Sequence, residues 1–120
     1  MSPKRGDRVA PPPGRNEWEI RYATADAAKG WEALCQQAPG NTLAAWRVMR
    51  AEPRPPIDSR HTPLKGDLAT KEIGGRSLEQ WQIEVTSGGR VWYAVDDDRH
   101  TVWVTFAATA HPKATDRPAR

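Results

Sequence analysis

The feature that most constrains the fold is an alternation of apolar and polar side chains between Leu78 and Pro112. Apolar residues recur at every second position in three consecutive runs, and turn-forming residues separate the runs. A period of two is typical of antiparallel strands with one buried face. The sequence therefore predicts a three-stranded meander packed against a core. Its predicted core face consists of Trp81, Ile83, Val85, Val91, Tyr93, Val95, Val102, Val104 and Phe106.

The first turn of this meander contains Ser87-Gly88-Gly89, where glycine is expected to adopt the positive φ that tight hairpins need. A three-residue loop would pair Thr86 with Arg90 and keep the apolar residues of the two strands on one face. A two-residue loop would set apolar against polar residues along the ladder. We therefore predict the three-residue loop.

The second turn begins within a run of three aspartates. A two-residue loop at Asp98-Arg99 would pair Val95 with Val102. Arg90 then lies on the face away from the core. The odd-numbered residues of the last strand lie on the same face as Arg90. If that strand continues without interruption, His111 is one of them. The parity of the strands thus predicts that a cation and a titratable imidazole converge on the open side of the sheet.

In the N-terminal half, the residue pattern before Pro39-Gly40 predicts one strand followed by one helix. Residues 18–22 alternate in polarity, which indicates the strand. Thr24 is placed to cap a helix whose apolar residues recur at helical spacing until Pro39-Gly40 ends it. Core packing is the expected role of Trp31, Trp46 and Cys35.

A second helix is predicted to begin with Asn41 or Thr42 as its cap and to end before Pro53. So short a turn between two helices predicts an antiparallel hairpin that covers the apolar face of the sheet. Leu43, Trp46, Met49 and Arg50 continue the helical spacing of this helix towards Glu52.

These elements predict a single α+β domain of order β-α-α-β-β-β, with the helical hairpin packed on a four-stranded, mainly antiparallel sheet. The predicted domain covers residues 16–113. Residues 1–15, which are basic and proline-rich, are predicted to be a disordered arm, and residues 114–120 a flexible tail.

Charge and cysteine content limit the classes of function. The chain of 120 residues has a net charge of +3, but its tails carry more positive charge than that, so residues 16–112 have a net charge of −2. A nucleic-acid function would therefore depend on where the charges stand rather than on the overall charge. The single cysteine excludes an internal disulfide, and no apolar run approaches the length of a membrane span or a signal peptide core. We expect a cytoplasmic protein without a membrane contact.

The three histidines, His61, His100 and His111, are not spaced as metal ligands, and one cysteine cannot build a zinc site. The run Asp96-Asp97-Asp98 is interpreted as a turn with solvated carboxylates. No metal and no cofactor is therefore expected.

The order of elements and several residues resemble the RelE/ParE toxin superfamily of bacterial toxin–antitoxin systems, nearest its RelE and YoeB branch. The residues that carry the resemblance are Pro63-Leu64-Lys65 after the helices, Trp81, the segment Arg90 to Asp97, and His111 near the end of the last strand. The resemblance covers roughly residues 18–113. It implies metal-independent endoribonuclease cleavage of mRNA on the ribosome, inhibition of translation, and control by a cognate antitoxin.

Cleavage of RNA by its own 2′-hydroxyl needs a base, an acid, and positive charge for the pentavalent phosphorus. The guanidinium of Arg90 suits the charge, and the imidazole of His111 suits proton transfer near neutral pH. Lys65 matches a lysine of the family, and Glu84 and His61 are further candidates for the catalytic set. The predicted RNA-binding residues are Arg76, Gln82, Trp92, Trp103 and Lys113.

The chain departs from the family at three positions. Gln82 and Glu84 stand where RelE members carry basic residues, and Thr62 stands where another branch carries a carboxylate base. Three functions therefore remain open: an mRNA endoribonuclease toxin, a ParE-like inhibitor of DNA gyrase, and a catalytically silent relative that only binds an antitoxin. In each case we expect the antitoxin to cover Arg90 together with Trp92 or Trp103.

Overall fold

The central element is a mixed sheet with two helices packed on one face, as the computed structural model shows for the described residues, 3–9 and 11–110. The elements in chain order are β1 (Glu19–Tyr22), α1 (Ala25–Gln37), α2 (Pro39–Ala51), β2 (His61–Pro63), a 3₁₀ turn (Gly66–Leu68), β3 (Thr70–Ile73), β4 (Arg76–Glu84), β5 (Arg90–Asp96) and β6 (Thr101–Ala108). The predicted α+β class and order of elements are confirmed, but the sheet has six strands rather than four. No helix in the described part of the chain is both long and apolar enough to cross a bilayer.

The strands lie in the order β1-β6-β5-β4-β2, and β3 also pairs with β4. Only the pairing of β1 with β6 is parallel. The two additional strands, β2 and β3, occupy successive lengths of the outer edge of β4. Both are short, and β2 ends in Pro63, which an edge strand tolerates because one side of its backbone needs no partner.

Helix α1 begins as predicted, with the Thr24 hydroxyl accepting a hydrogen bond from the Ala27 amide at 3.0 Å. Its buried residues include Trp31 and Leu34. Gly30 lies so close to β6 that a Cβ atom there would come within 1.8 Å of the Ala107 carbonyl oxygen. The sequence of α1 thus sets how closely the helix can approach the sheet.

Helix α2 begins at Pro39, directly after Ala38, so the prediction of Asn41 or Thr42 as its cap is wrong. Proline suits the first position of a helix because the amide it lacks would have no partner there. The Thr42 hydroxyl instead donates to the Leu34 carbonyl, at 3.0 Å. The buried side of α2 therefore differs in part from the set at helical spacing in the sequence and consists of Thr42, Ala45, Met49 and Arg50. Leu43, a member of that set, is 44% exposed.

The register between β4 and β5 differs from the prediction by two residues. Glu84 pairs with Arg90 and Trp81 with Tyr93, so the loop is longer than three residues. The amides of Val85 and Thr86 both donate to the Gly89 carbonyl, and these bonds close the loop. Because the shift is an even number, every side chain stays on its predicted face.

The register between β5 and β6 pairs Val95 with Val102, as predicted. A bulge interrupts it further along, because Trp92 pairs with Phe106 but Tyr93 pairs with Val104. Thr105 is the additional residue. Even-numbered residues of β6 face the core before Thr105, and odd-numbered residues face it afterwards. The predicted core position of Phe106 is therefore wrong, and Ala107 is buried instead. The other eight predicted core residues are each at most 5% exposed.

Residues 6–9, within the predicted arm, follow the outer edge of β1. The Val9 amide donates to Ile20 and the Gly6 amide to Tyr22, at 2.7 and 2.8 Å. Val9 is 1% exposed, and its carbonyl accepts a bond from the Trp46 indole at 3.5 Å. Burial of this single apolar side chain and pairing with an open strand edge anchor the segment.

Candidate functional site

The sheet face turned away from the helices carries most of the predicted site residues, and it is called here the open face. Its side chains include Gln80, Gln82, Glu84, Arg90, Trp92, Asp96, Trp103, Thr105 and Phe106. They alternate with the buried residues that the helices cover, as the period of two requires. The strands thereby place polar and aromatic groups in one continuous layer.

Arg90, at the start of β5, lies in a hydrogen-bonded cluster on this face. Its guanidinium donates to the Gln82 side-chain oxygen at 3.2 Å and lies 3.5 Å from the Glu84 carboxylate. The same Gln82 oxygen accepts a hydrogen bond from the Trp92 indole at 2.8 Å. Trp92 in turn packs on Phe106, with ring centroids 4.6 Å apart and planes tilted by 37°. These five residues are called the Arg90 cluster.

The electrostatics of the Arg90 cluster are nearly balanced. The Arg90 side chain is 12% exposed and the Glu84 side chain 32% exposed, so the ion pair is partly withdrawn from water. A phosphate that approached Arg90 would therefore compete with a carboxylate already in place. Gln82 adds hydrogen-bonding capacity without charge, where a basic residue was expected from the family resemblance.

His61 lies on the other side of the sheet. It pairs with Ile83, which is 2% exposed beneath the helices, and directly paired residues share a face. The His61 ring nitrogen Nδ1 lies 3.2 Å from the Asp58 carboxylate, and the ring borders a cavity of about 140 Å³ next to α2. The structure therefore does not bring His61 to Arg90. Sequence reasoning missed Asp58, although an aspartate three residues before a histidine is a local signal for such a pair.

The Asp58 carboxylate also accepts hydrogen bonds from two backbone amides, those of Arg60 and His61, at 2.7 and 2.9 Å. These amide bonds, with a smaller contribution from the imidazole, lower the pKa of Asp58. The arrangement is a side-chain-capped turn that leads into β2 and fixes the orientation of the imidazole.

Lys65 is exposed and lies beyond the Pro63 end of β2. The neighbouring amide of Leu64 donates to Gln80, whereas Arg90 is level with Glu84 at the other end of β4. Along the direction of β4, Lys65 and Arg90 are thus about five residues, or about 17 Å, apart.

Arg76 and Trp103, two of the predicted RNA-binding residues, converge on one carboxylate. Asp96 is 2% exposed and forms an ion pair with Arg76. Its second oxygen accepts a hydrogen bond from the Trp103 indole at 3.4 Å. The interpretation of the three aspartates as solvated is therefore wrong for Asp96. Its even-numbered position at the end of β5, on the polar face of the strand, is the signal that could have indicated it.

Asp97, the residue after Asp96, is exposed to solvent. Arg54 donates two hydrogen bonds to its carboxylate at 2.8 and 2.9 Å and a third to Glu79 at 2.6 Å. The hydrogen bonds from Arg54 lower the pKa of Asp97. This pair ties the segment after α2 to the end of the sheet.

His111 and Lys113 lie outside the described residues. The parity argument that placed His111 beside Arg90 assumes an uninterrupted strand, and the bulge at Thr105 removes that assumption. Within residues 3–9 and 11–110, no three His, Cys, Asp or Glu side chains are grouped so that they could hold a metal ion.

In comparisons with protein families, curated proteins and solved structures, the chain matches none of them.

Proposed function

We propose that the protein is the toxin of a type II toxin–antitoxin system that inhibits translation by cleaving ribosome-bound mRNA in the cytoplasm. The observation that carries the proposal is the Arg90 cluster, which combines a cation, an amide and a tilted aromatic pair on the open face. The order of elements agrees with the family resemblance, but the argument from chemistry concerns this cluster.

Each component of the Arg90 cluster matches a part of an RNA chain. A guanidinium donates to phosphate oxygens in a fixed fork, and its charge stabilises the pentavalent phosphorus of the transition state. The partly exposed rings of Trp92 and Phe106 offer an aromatic surface on which an unstacked base can stack. The Gln82 side chain, which already accepts from Arg90 and Trp92, keeps its NH₂ group for a base edge or a ribose oxygen.

Glu84 has a defined place in this proposal. In the free protein it balances the charge of Arg90 at 3.5 Å. When a phosphate takes over the guanidinium, the carboxylate is released next to the scissile group, where it can accept the proton of the 2′-hydroxyl. His61 lies on the opposite face of the sheet and so is not proposed as the acid that protonates the leaving oxygen; His111 stays the candidate that the family resemblance implies.

The proposed partner is a cognate antitoxin that covers the open face. An antitoxin segment lying over Arg90 and Trp92 would exclude RNA, and partly exposed aromatic rings are frequent anchors of such interfaces. The ribosome is the proposed site of action, since it holds the mRNA as an extended single strand.

The test compares matched arginine variants after induction without an antitoxin. Arg90→Ala should abolish growth arrest and lower single-turnover cleavage of ribosome-bound mRNA by about 100- to 1,000-fold. Arg47→Ala, on the exposed side of α2, removes the same charge and should leave both unchanged. Circular dichroism of each variant verifies folding. If mRNA ends in induced cells are unchanged from uninduced cells, or if Arg90→Ala remains fully toxic, the nuclease assignment is wrong.

The Arg90–Glu84 ion pair and the position of His61 favour a second candidate, a catalytically silent relative that binds an antitoxin. This candidate predicts tight complex formation but no growth arrest and no new mRNA ends. The ParE-like alternative predicts growth arrest with gyrase-linked DNA breaks in place of mRNA cleavage, so the same induction experiment separates all three.

A further inference from the structure

A cleft lined by basic residues lies at the opposite end of the sheet from Arg90. It has a volume of about 420 Å³ and is bordered by the N-terminal arm, the end of β1, β3 and the turn before β6. The lining residues that carry the argument are Arg5, Thr24, Lys71, Glu72, Arg99 and Trp103. None of the three cations among them was singled out by the sequence analysis.

The walls of this cleft are fixed by backbone contacts. On one side, the Gly6 amide donates to Tyr22 at 2.8 Å and the Arg21 guanidinium donates to the Gly6 carbonyl at 2.6 Å, so the arm holds Arg5 at the cleft. On the other side, β3 returns through a tight turn in which Gly74 and Gly75 both have positive φ, and it presents Lys71. The cleft is therefore built by the fold rather than by side chains alone.

The floor of the cleft contains an oriented aromatic ring. Trp103 is partly buried, and its indole donates at 3.4 Å to Asp96, which is itself held by Arg76. A ring whose nitrogen is already bonded has one defined orientation, and its remaining surface is available to a planar group. Bases stack on such rings whatever their sequence.

The charge of the cleft favours an anion. Three cations, Arg5, Lys71 and Arg99, face one carboxylate, that of Glu72. All three cations lie on exposed residues, so a phosphate can reach them without first breaking a buried ion pair, in contrast to Arg90. A positive groove beside an aromatic ring is the combination by which proteins hold single-stranded nucleic acids.

We propose that this cleft binds a short stretch of single-stranded RNA, with one base on Trp103 and the neighbouring backbone phosphates on Arg5, Lys71 and Arg99. The inference rests on the proposed function for the identity of the ligand as RNA, but it does not require cleavage. Trp103 lies opposite Ala94, four residues along β5 from Arg90, which corresponds to about 13 Å. A short strand of RNA on the open face would therefore contact the Arg90 cluster and this cleft together.

The test measures binding of a fluorescent oligouridine by anisotropy, with the Arg90→Ala protein used throughout so that no cleavage occurs. The triple change Arg5→Ala, Lys71→Ala and Arg99→Ala should weaken binding at least tenfold. It should also reduce the slope of log affinity against log salt by about 2, since each phosphate contact on a single strand contributes about 0.7. A matched triple change at Arg15, Lys29 and Arg47 removes the same charge elsewhere and should alter affinity less than twofold.

Photo-crosslinking with 4-thiouridine in the same oligonucleotide should place the crosslink on the peptide that contains Trp103. Equal losses in the two triple variants, or crosslinks that avoid this peptide, would overturn the proposal. Protection of the cleft by a cognate antitoxin with no RNA binding there would assign it to a protein partner and also overturn it. If RNA binds in the cleft but the wild-type protein cleaves no mRNA, this inference stands and the proposed nuclease function fails.

Discussion

Thr105 and Phe106 are adjacent in β6, yet both side chains lie on the open face of the sheet. The Thr105 hydroxyl donates to the Gln80 side chain, and the Phe106 ring packs on Trp92. This is possible because the bulge at Thr105 leaves two residues of β6 opposite one position of β5. The bulge completes the aromatic pair of the Arg90 cluster and moves Ala107 into the core.

The buried carboxylate of Asp96 should contribute strongly to stability. Asp96→Asn removes the ion pair with Arg76, and we expect it to lower the free energy of unfolding by about 2–3 kcal/mol. Asp98→Asn is the matched control, because Asp98 is 85% exposed and only 3.6 Å from the same guanidinium. It should cost less than about 0.5 kcal/mol. Urea unfolding measures both, and equal effects would contradict the burial argument.

The contact between α1 and β6 should make Gly30 irreplaceable. Gly30→Ala improves helix propensity by about 1 kcal/mol, but its methyl group would meet the Ala107 backbone, which cannot move without shifting the helix. We expect a net loss of about 1–2 kcal/mol or more in unfolding free energy. Gly40→Ala, where the new methyl group meets no atom within 4 Å, should leave stability unchanged or slightly raised. Thermal unfolding that ranked the two variants in the reverse order would show that α1 packs differently.

The Arg54–Asp97 pair should make stability depend on pH on the acidic side. Arg54 lowers the pKa of Asp97, so the contribution of the pair is present above the ordinary aspartate pKa and is lost as pH falls through the lowered value. Arg54→Gln should therefore be less stable than wild type near pH 7, by at most about 1 kcal/mol after solvent screening, and the difference should shrink below about pH 4.

Urea unfolding at about pH 7 and about pH 3 measures this change. Arg47→Gln provides the control, because it removes a charge from an exposed position of α2. A difference between wild type and Arg54→Gln that stays constant across this range would exclude the pair as its source.

A substitution at Glu84 separates two roles of its carboxylate, as a competitor of the RNA phosphate for Arg90 and as the base in cleavage. Glu84→Gln removes the carboxylate charge that lies 3.5 Å from the Arg90 guanidinium, so RNA affinity should rise several-fold whether or not the carboxylate is a base. If the carboxylate accepts the 2′-hydroxyl proton, cleavage should nevertheless fall by about 100-fold or more. Anisotropy measures the affinity, and single-turnover cleavage measures the rate. A variant with raised affinity and an unchanged rate would leave Glu84 as a competitor of phosphate only.

The faces of β4 and β5 were predictable from sequence alone, because side chains alternate strictly along a strand. Trp81, Ile83, Val91 and Tyr93 are buried as the alternation indicates, although the pairing is two residues away from the predicted register. An even shift preserves faces, so hydrophobic burial determines them while the loop determines the register. The Thr24 cap of α1 was likewise predictable, because the cap is a local hydrogen bond.

The site depended on contacts that the sequence does not encode locally. The bulge at Thr105 follows from how β5 and β6 pair, and it changes the face of every later residue of β6. Pairing of β2 with the outer edge of β4 places His61 on the helix side of the sheet, whereas sequence order alone grouped it with Arg90. The sequence by itself determined the α+β class, the core face and the cation at the start of β5. Only the tertiary structure decided which polar groups meet, because that depends on register, edges and bulges between distant segments, which no local pattern fixes.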